Sequence, residues 1–439
     1  MTRCLSVLIL LTFFTKGSLL WSQKISDSLQ QASLQTCIQY ALQHQPIIQQ
    51  SLIDERITEY TIKSKLADWY PQINFDYFLQ HYFQLPTIYF QGNPVKQGVI
   101  NSSAAEFSLT QNIFNRDVLL ASQTAKDVRT QIKQITSGNK IDVVVNVSKA
   151  FYDVLLTQQQ IKLLNEDIIR LERSLKDAYN QYQGGIVDKT DYKRATISLN
   201  NARAEKKQTE ELLKAKYAYL KQQMSYEAVN NLQLIYDSTQ MEKDAFIDTT
   251  QNLNYNNRIE YQLLQTQKSL QQANLKYYKW SFIPSLSAYG NYNLNYFNNS
   301  FSKLYSASFP NSYAGLTLTF PLFQGNKRIY QIRQAELELK RVDYDVASLI
   351  NSINTEYTQA LATYTSNLNN YNILKENLDL ALDVYNTIEL QYKAGVKTYL
   401  DVIIAQTDLR STQVNYTNAL YQLLSSKLDV QKALGNIQY

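Results

Sequence analysis

From Asn115 to Tyr182 the chain carries no proline and a single glycine, Gly138; from Asn326 to Tyr392 it carries neither. Along the second run, Ile353, Tyr357, Ala360, Tyr364, Leu368, Tyr371, Leu374, Leu378, Leu382, Tyr385, Ile388 and Tyr392 recur at alternating three- and four-residue steps. That step is a coiled-coil seam, and it predicts two very long helices. At about 1.5 Å per residue each spans about 100 Å, several times an ordinary helix. Gly138 marks a candidate kink. Shorter return helices, Asp191 to Met224 and Asp401 to Leu434, are patterned alike.

The two long runs stop on similar punctuation, QYQGGIVDKTDY and QYKAGVKTYLDV. Gly184-Gly185 and Gly395 end the outgoing helices, and Asp188 and Thr398 start the returns. Asp191 and Asp401 follow three residues later, the spacing of a capping box with Asp in place of Glu. Residues 183–190 and 393–400 are therefore read as hairpin tips.

Elsewhere the period changes to two. Residues 46–68 lead to Trp69-Tyr70-Pro71, and residues 254–280 lead to Trp280 and Pro284; each proline ends helical geometry before it. After them, Ile73, Phe75, Tyr77 and Leu79 alternate with Asn74, Asp76 and Gln80, and Phe107, Leu109 and Ile113 with Glu106, Ser108, Thr110 and Asn112. Leu286, Ala288, Tyr292, Leu294 and Tyr296 alternate with Ser and Asn, and Leu316, Leu318 and Phe320 oppose Thr317 and Thr319. Four strands of about ten residues follow, in pairs at about 72–113 and 285–320. Such strands suit a membrane-spanning barrel with aromatic residues at the interfaces, and equally a soluble four-stranded sheet. In lipid, four strands cannot close, and an open edge leaves backbone groups unpaired. A membrane barrel then requires several chains: two give eight strands and three give twelve.

One repeat covers nearly the whole chain. WYPQI at 69–73 matches FIPSL at 282–286, SLTQNIF at 108–114 matches TLTFPLF at 317–323, and the two tips match at nearly the same offset. The expected division is an N-terminal segment 1–22, a first repeat 23–252 and a second repeat 253–439. Arg3 followed by the apolar run Leu5 to Phe14 reads as an export signal cleaved near Ser22. No later segment approaches the apolar length of a membrane helix.

Composition narrows the function. Gly is 11, Pro 7 and Tyr 34, with 18% charged residues and a net charge of +5. Acids and bases are interleaved, so there is no nucleic-acid footprint. Cys4 lies in the export segment, leaving Cys37 as a buried structural thiol with no disulfide partner. His44 and His81 stand far apart, and no nucleophile elbow, phosphate loop or metal-ligand spacing occurs, so neither an enzyme nor a cofactor is expected.

On the duplication, the Y-x-x-G-[IV]-x-[DT]-x-x-D tips, TLTFPLFQGNKR and ANLKYYKWSFIPSLS, the chain resembles the TolC-like outer-membrane efflux proteins across its mature length. The resemblance implies a homotrimer with a shared twelve-stranded β-barrel in outer-membrane lipid and a long α-helical barrel in the periplasm. It implies an exit duct for an efflux or type I secretion system, joined by a periplasmic adaptor to an inner-membrane RND, ABC or MFS transporter. Asp191, Tyr392 and Lys397 match latch positions that close the duct, and Asp401 matches a carboxylate ringing the constriction. A second carboxylate expected one turn on is Ile404 here. Gly184, Gly185, Ile186, Gly395 and Val396 match tip positions that receive the adaptor. Helix capping is the other role open to both Asp residues, and a periplasmic coiled-coil scaffold without channel activity is the alternative function.

Overall fold

The computed structural model describes residues 31–186, 188–235 and 238–439; the export segment expected at 1–22 lies outside them. Two helices, α1 (Leu34–His44) and α2 (Pro46–Leu66), open the described chain. Pro46 sits at the first position of α2, where its missing N–H leaves no bond unmade. A 3-10 turn, Ala67–Trp69, follows, and Tyr70 ahead of Pro71 is extended at φ −81 and ψ 156. The chain then enters β1 (Gln72–His81).

A connection holding a small hairpin, β2 (Thr87–Phe90) with β3 (Asn93–Lys96), returns the chain along β4 (Asn101–Phe114). Next come α3 (Arg116–Gln183) of 68 residues and α4 (Lys189–Met224) of 36. After α5 (Ser238–Asp244) and α6 (Ile259–Lys279), a 3-10 turn at Trp280–Phe282 leads into β5 (Ser285–Asn298) and β6 (Phe309–Thr319). The chain closes with α7 (Lys327–Lys393) of 67 residues and α8 (Tyr399–Leu434) of 36. At Gly138, the candidate kink, the helix is unbroken. α3 continues through it, and a Cβ there would touch Ile259 of α6 at an ordinary 3.9 Å.

The strands form one antiparallel sheet in the order β1-β4-β5-β6. All four helix–strand junctions lie at one end of it, because Gln72 pairs Thr110 and Ser285 pairs Thr319. One face is mainly apolar, as in the row Tyr77–Ala105–Leu294–Pro310; the other is polar, as in the row Asp76–Glu106–Asn293–Asn311. The edge strands are bare: β1 is exposed along its length, and β6 everywhere except Gly315.

α3 pairs with α4 and α7 with α8 as two long hairpins, and α8 lies against α3. The main core gathers Cys37, Phe151, Leu220, Met224, Tyr364, Leu420 and Leu423 where α1, α3, α4, α7 and α8 converge. Burial in it pushes the Cys37 thiol up to about 12. Among the described residues, no helix is long and apolar enough to cross a membrane.

Candidate functional site at the hairpin tips

Both long helices end in the same stop. At the first tip Gly185 N–H donates to Tyr182 O at 3.0 Å and Ile186 N–H to Gln181 O at 2.9 Å. At the second, Gly395 N–H donates to Tyr392 O and Val396 N–H to Gln391 O, each at 2.9 Å. This is the Schellman arrangement, which needs a left-handed residue one place beyond the C-cap, here Gly184 and Ala394; Gly185 has φ 72 and Gly395 φ 74. The motif leaves Ile186 and Val396 projecting, 77% and 73% exposed. Gly184 has ordinary helical geometry.

The return helices start differently from one another. At Thr398 the capping box is complete: Asp401 N–H donates to Thr398 Oγ1 at 3.4 Å, and Asp401 Oδ2 accepts from Thr398 N–H at 2.9 Å. The Thr398 hydroxyl, which also donates to Asp401 Oδ2 at 2.8 Å, then the Thr398 backbone N–H and the charge of Lys397 hold the Asp401 carboxyl below its usual range. At Asp188 the expected box does not form. Its carboxylate bonds Thr190, through the hydroxyl and through the backbone N–H at 2.7 Å, so Asp191 is left out of the cap. Threonine two places on offers a nearer donor than the backbone three places on.

Between the tips lies an aromatic seam. Ala178, Ala195 and Tyr399 are buried, with Tyr192, Tyr392 and Ile403 packed against them. The Tyr392 hydroxyl donates to Gln181 Oε1 at 2.8 Å, tying α7 to α3. Burial, then the charges of Asp177 and Asp191, raise the Tyr392 hydroxyl above its ordinary range. The Tyr399 hydroxyl is buried near Ser174 without a partner in hydrogen-bond geometry, and it too is pushed up by burial. Of the positions matched to a latch, Tyr392 alone makes a side-chain hydrogen bond among the described residues. Neither the Asp191 carboxylate nor the Lys397 ammonium makes a side-chain hydrogen bond or ion pair there, among the described residues. Ile404, at the position where the resemblance implies a second carboxylate, is exposed.

The model of one family, "Outer membrane efflux protein", matches residues 37–225 and 262–436. The chain belongs to that family. It is 20% identical to the "Outer membrane protein TolC" of Vibrio cholerae over 344 residues, covering 76% of this chain and 77% of the relative. Among solved structures, its fold is similar to the outer membrane protein VceC of Vibrio cholerae, with TM-score 0.73 at 13% identity, covering 92% of this chain and 96% of the other. It is also similar to the Campylobacter jejuni CmeC outer membrane channel, with TM-score 0.74 at 14% identity and coverage of 92% and 85%. This efflux protein resides in the outer membrane, and its large helical part is periplasmic.

A second tie joins the hairpins of this efflux protein above the tips, and no feature of the sequence pattern points to it. Asp167 of α3 is 1% exposed; its Oδ1 accepts from Gln406 of α8 at 2.8 Å and from Arg170 at 3.4 Å. Arg410 lies 3.6 Å from Asp167 Oδ2 and 3.7 Å from Glu205 of α4, so one guanidinium bridges three helices. Gln406 and Asp167 are 239 residues apart, beyond the reach of any local spacing.

Proposed function

We propose that the protein is a trimeric exit duct, passing substrates through the outer membrane from an inner-membrane RND, ABC or MFS transporter joined to it by a periplasmic adaptor. The observation that carries this reading is the four-stranded sheet with two bare edges and one apolar face, set at the end of helices about 100 Å long. Strand β6 of one copy runs antiparallel to β1 of the next, so three copies close twelve strands and leave no open edge in lipid. We read residues 23–252 and 253–439 as two copies of one module, each ending in a hairpin with the same stop. Family membership supports the efflux role, and the transporter selects the cargo. A periplasmic scaffold would leave the apolar sheet face without a purpose.

In this reading the aromatic seam holds the two hairpins of one chain together, while Asp191 and Lys397, whose side chains make no hydrogen bond or ion pair among the described residues, bond the tips of neighbouring copies. Asp401 caps α8 and adds its charge at the constriction. The glycine turns at 184–186 and 395–396 present Ile186 and Val396 to the adaptor, whose binding spreads the tips. Transit is passive. Insertion of the purified protein into a planar bilayer tests the reading: discrete conductance steps are expected, and a protein that inserts without conducting contradicts it.

A further inference from the structure

The polar face of the sheet changes character along its length. Near the helices its rows are polar, as in Asn74–Ser108–Asn291–Tyr313 and the Asp76–Glu106–Asn293–Asn311 row beyond it. Nearer the loops, Phe78 follows on edge strand β1, opposite Ala104, and Phe309 on edge strand β6, opposite Asn295; Phe297 lies two residues further along β5. These three phenylalanines are 47%, 53% and 42% exposed, and the rings of Phe297 and Phe309 touch at 5.9 Å between centroids.

An aromatic lower on the same face is treated differently. Tyr289 lies across from Gly315, and a Cβ on that glycine would fall 2.7 Å from the Tyr289 hydroxyl oxygen. The glycine lets that ring lie flat against the wall. No glycine stands opposite Phe78, Phe297 or Phe309. The interior of an eight-stranded barrel is filled by side chains and that of a sixteen-stranded one is an open channel. At twelve strands, the size of the inward side chains sets the width.

Resting on the trimeric barrel proposed above, we infer that Phe78, Phe297 and Phe309 of each copy form an apolar collar at the outer mouth of the duct. The collar excludes large hydrated solutes from outside and admits compact or flat apolar ones, which exchange water for contact with the rings. Edge strands bearing Phe78 and Phe309 bring the two rings to either side of each seam between copies. The hydrophilic lumen therefore meets the exterior through a ring of low polarity, a geometry that restricts water and ions as well as bulk.

Thiol accessibility in intact cells tests this. Cys37, the one cysteine among the described residues, is fully buried and stays silent. Asn293→Cys places a thiol on the polar face below the collar, and Leu294→Cys places one on the apolar face. A small charged thiosulfonate is expected to label Asn293→Cys and spare Leu294→Cys. A polyethylene-glycol maleimide of several kilodaltons is expected to label Asn293→Cys slowly, and about tenfold or more faster once Phe78, Phe297 and Phe309 are all changed to serine. Phe309→Ser alone serves if the triple variant fails to insert. Equal rates with and without the rings overturn the collar while leaving the barrel standing, and so does continued exclusion after their removal. Equal labelling of Asn293→Cys and Leu294→Cys by the small reagent overturns the barrel, and the collar with it.

Discussion

Gly185 and Gly395 hold the same left-handed conformation, at φ 72 and φ 74, each two places beyond the last residue of a helix of nearly 70 residues. A Cβ at either would meet nothing within 4 Å, so space does not select glycine there. The backbone does. Gly185→Ala and Gly395→Ala should each cost about 1 kcal/mol at the tip through left-handed strain alone. Faster amide exchange confined to 181–190 or 391–400 checks this, and unchanged exchange contradicts it.

Tyr392→Phe removes the hydroxyl that α7 offers to Gln181 while keeping the ring in the seam. Loosening of the tips by about 1 kcal/mol is expected. In a double-mutant cycle with Gln181→Leu, the two losses should not add. Additive losses would mean the hydroxyl and the amide act separately.

Asp191→Ala combined with Lys397→Ala should raise single-channel conductance in a planar bilayer, because neither side chain makes a hydrogen bond or ion pair among the described residues and both are proposed to find a partner across the trimer. An unchanged conductance places the latch on other residues.

Much of this fold is legible in the order of the amino acids. The glycine- and proline-free runs write α3 and α7, the alternation around Phe75 and Tyr292 writes the sheet, and Gly185 and Gly395 write the stops. What stays hidden is of two kinds. Short elements without a period leave no mark: β2 and β3 turn on Gln91-Gly92, and Pro94 sits inside β3. Strand β4 begins at Asn101, ahead of the visible alternation, because Asn101 to Ala104 are small or polar and yet buried. Distant pairings are silent as well. Asp167 meets Gln406 and Arg410 through the packing of α8 on α3, which no local pattern encodes.

Arg410→Met should lower the thermal unfolding midpoint in detergent, because it takes a cation from the buried carboxylate of Asp167. Breaking a buried pair costs about 3–5 kcal/mol; the long contacts and the remaining bonds from Gln406 and Arg170 bring the expected loss to about 2 kcal/mol. Replacing both, with Asp167→Leu and Arg410→Met, should recover part of it. A double variant worse than either single one contradicts this assignment.

Glu242 of α5 accepts from Lys375 Nζ at 2.6 Å and from the Tyr416 hydroxyl at 2.7 Å, clasping α5 to α7 and α8. Burial opposes the charge, yet these bonds hold the carboxyl below the ordinary glutamate range. A depressed carboxylate gives stability present above its unfolded value, about 4.3, and lost as pH falls through the lower folded value. Lys375 is raised by the same bond, so its share is lost only at strongly alkaline pH. Amide exchange in α5, corrected for its intrinsic pH dependence, should therefore speed up below about pH 4. Glu242→Gln should abolish that acceleration, and an acceleration that persists in the variant assigns it elsewhere.

Four strands per chain close only by sharing, and the detergent-corrected mass of the protein extracted from outer membranes tests this most directly. Three copies are expected. A stable monomer extracted from the membrane would leave β1 and β6 with open edges in lipid, and the shared barrel and its duct would be ruled out.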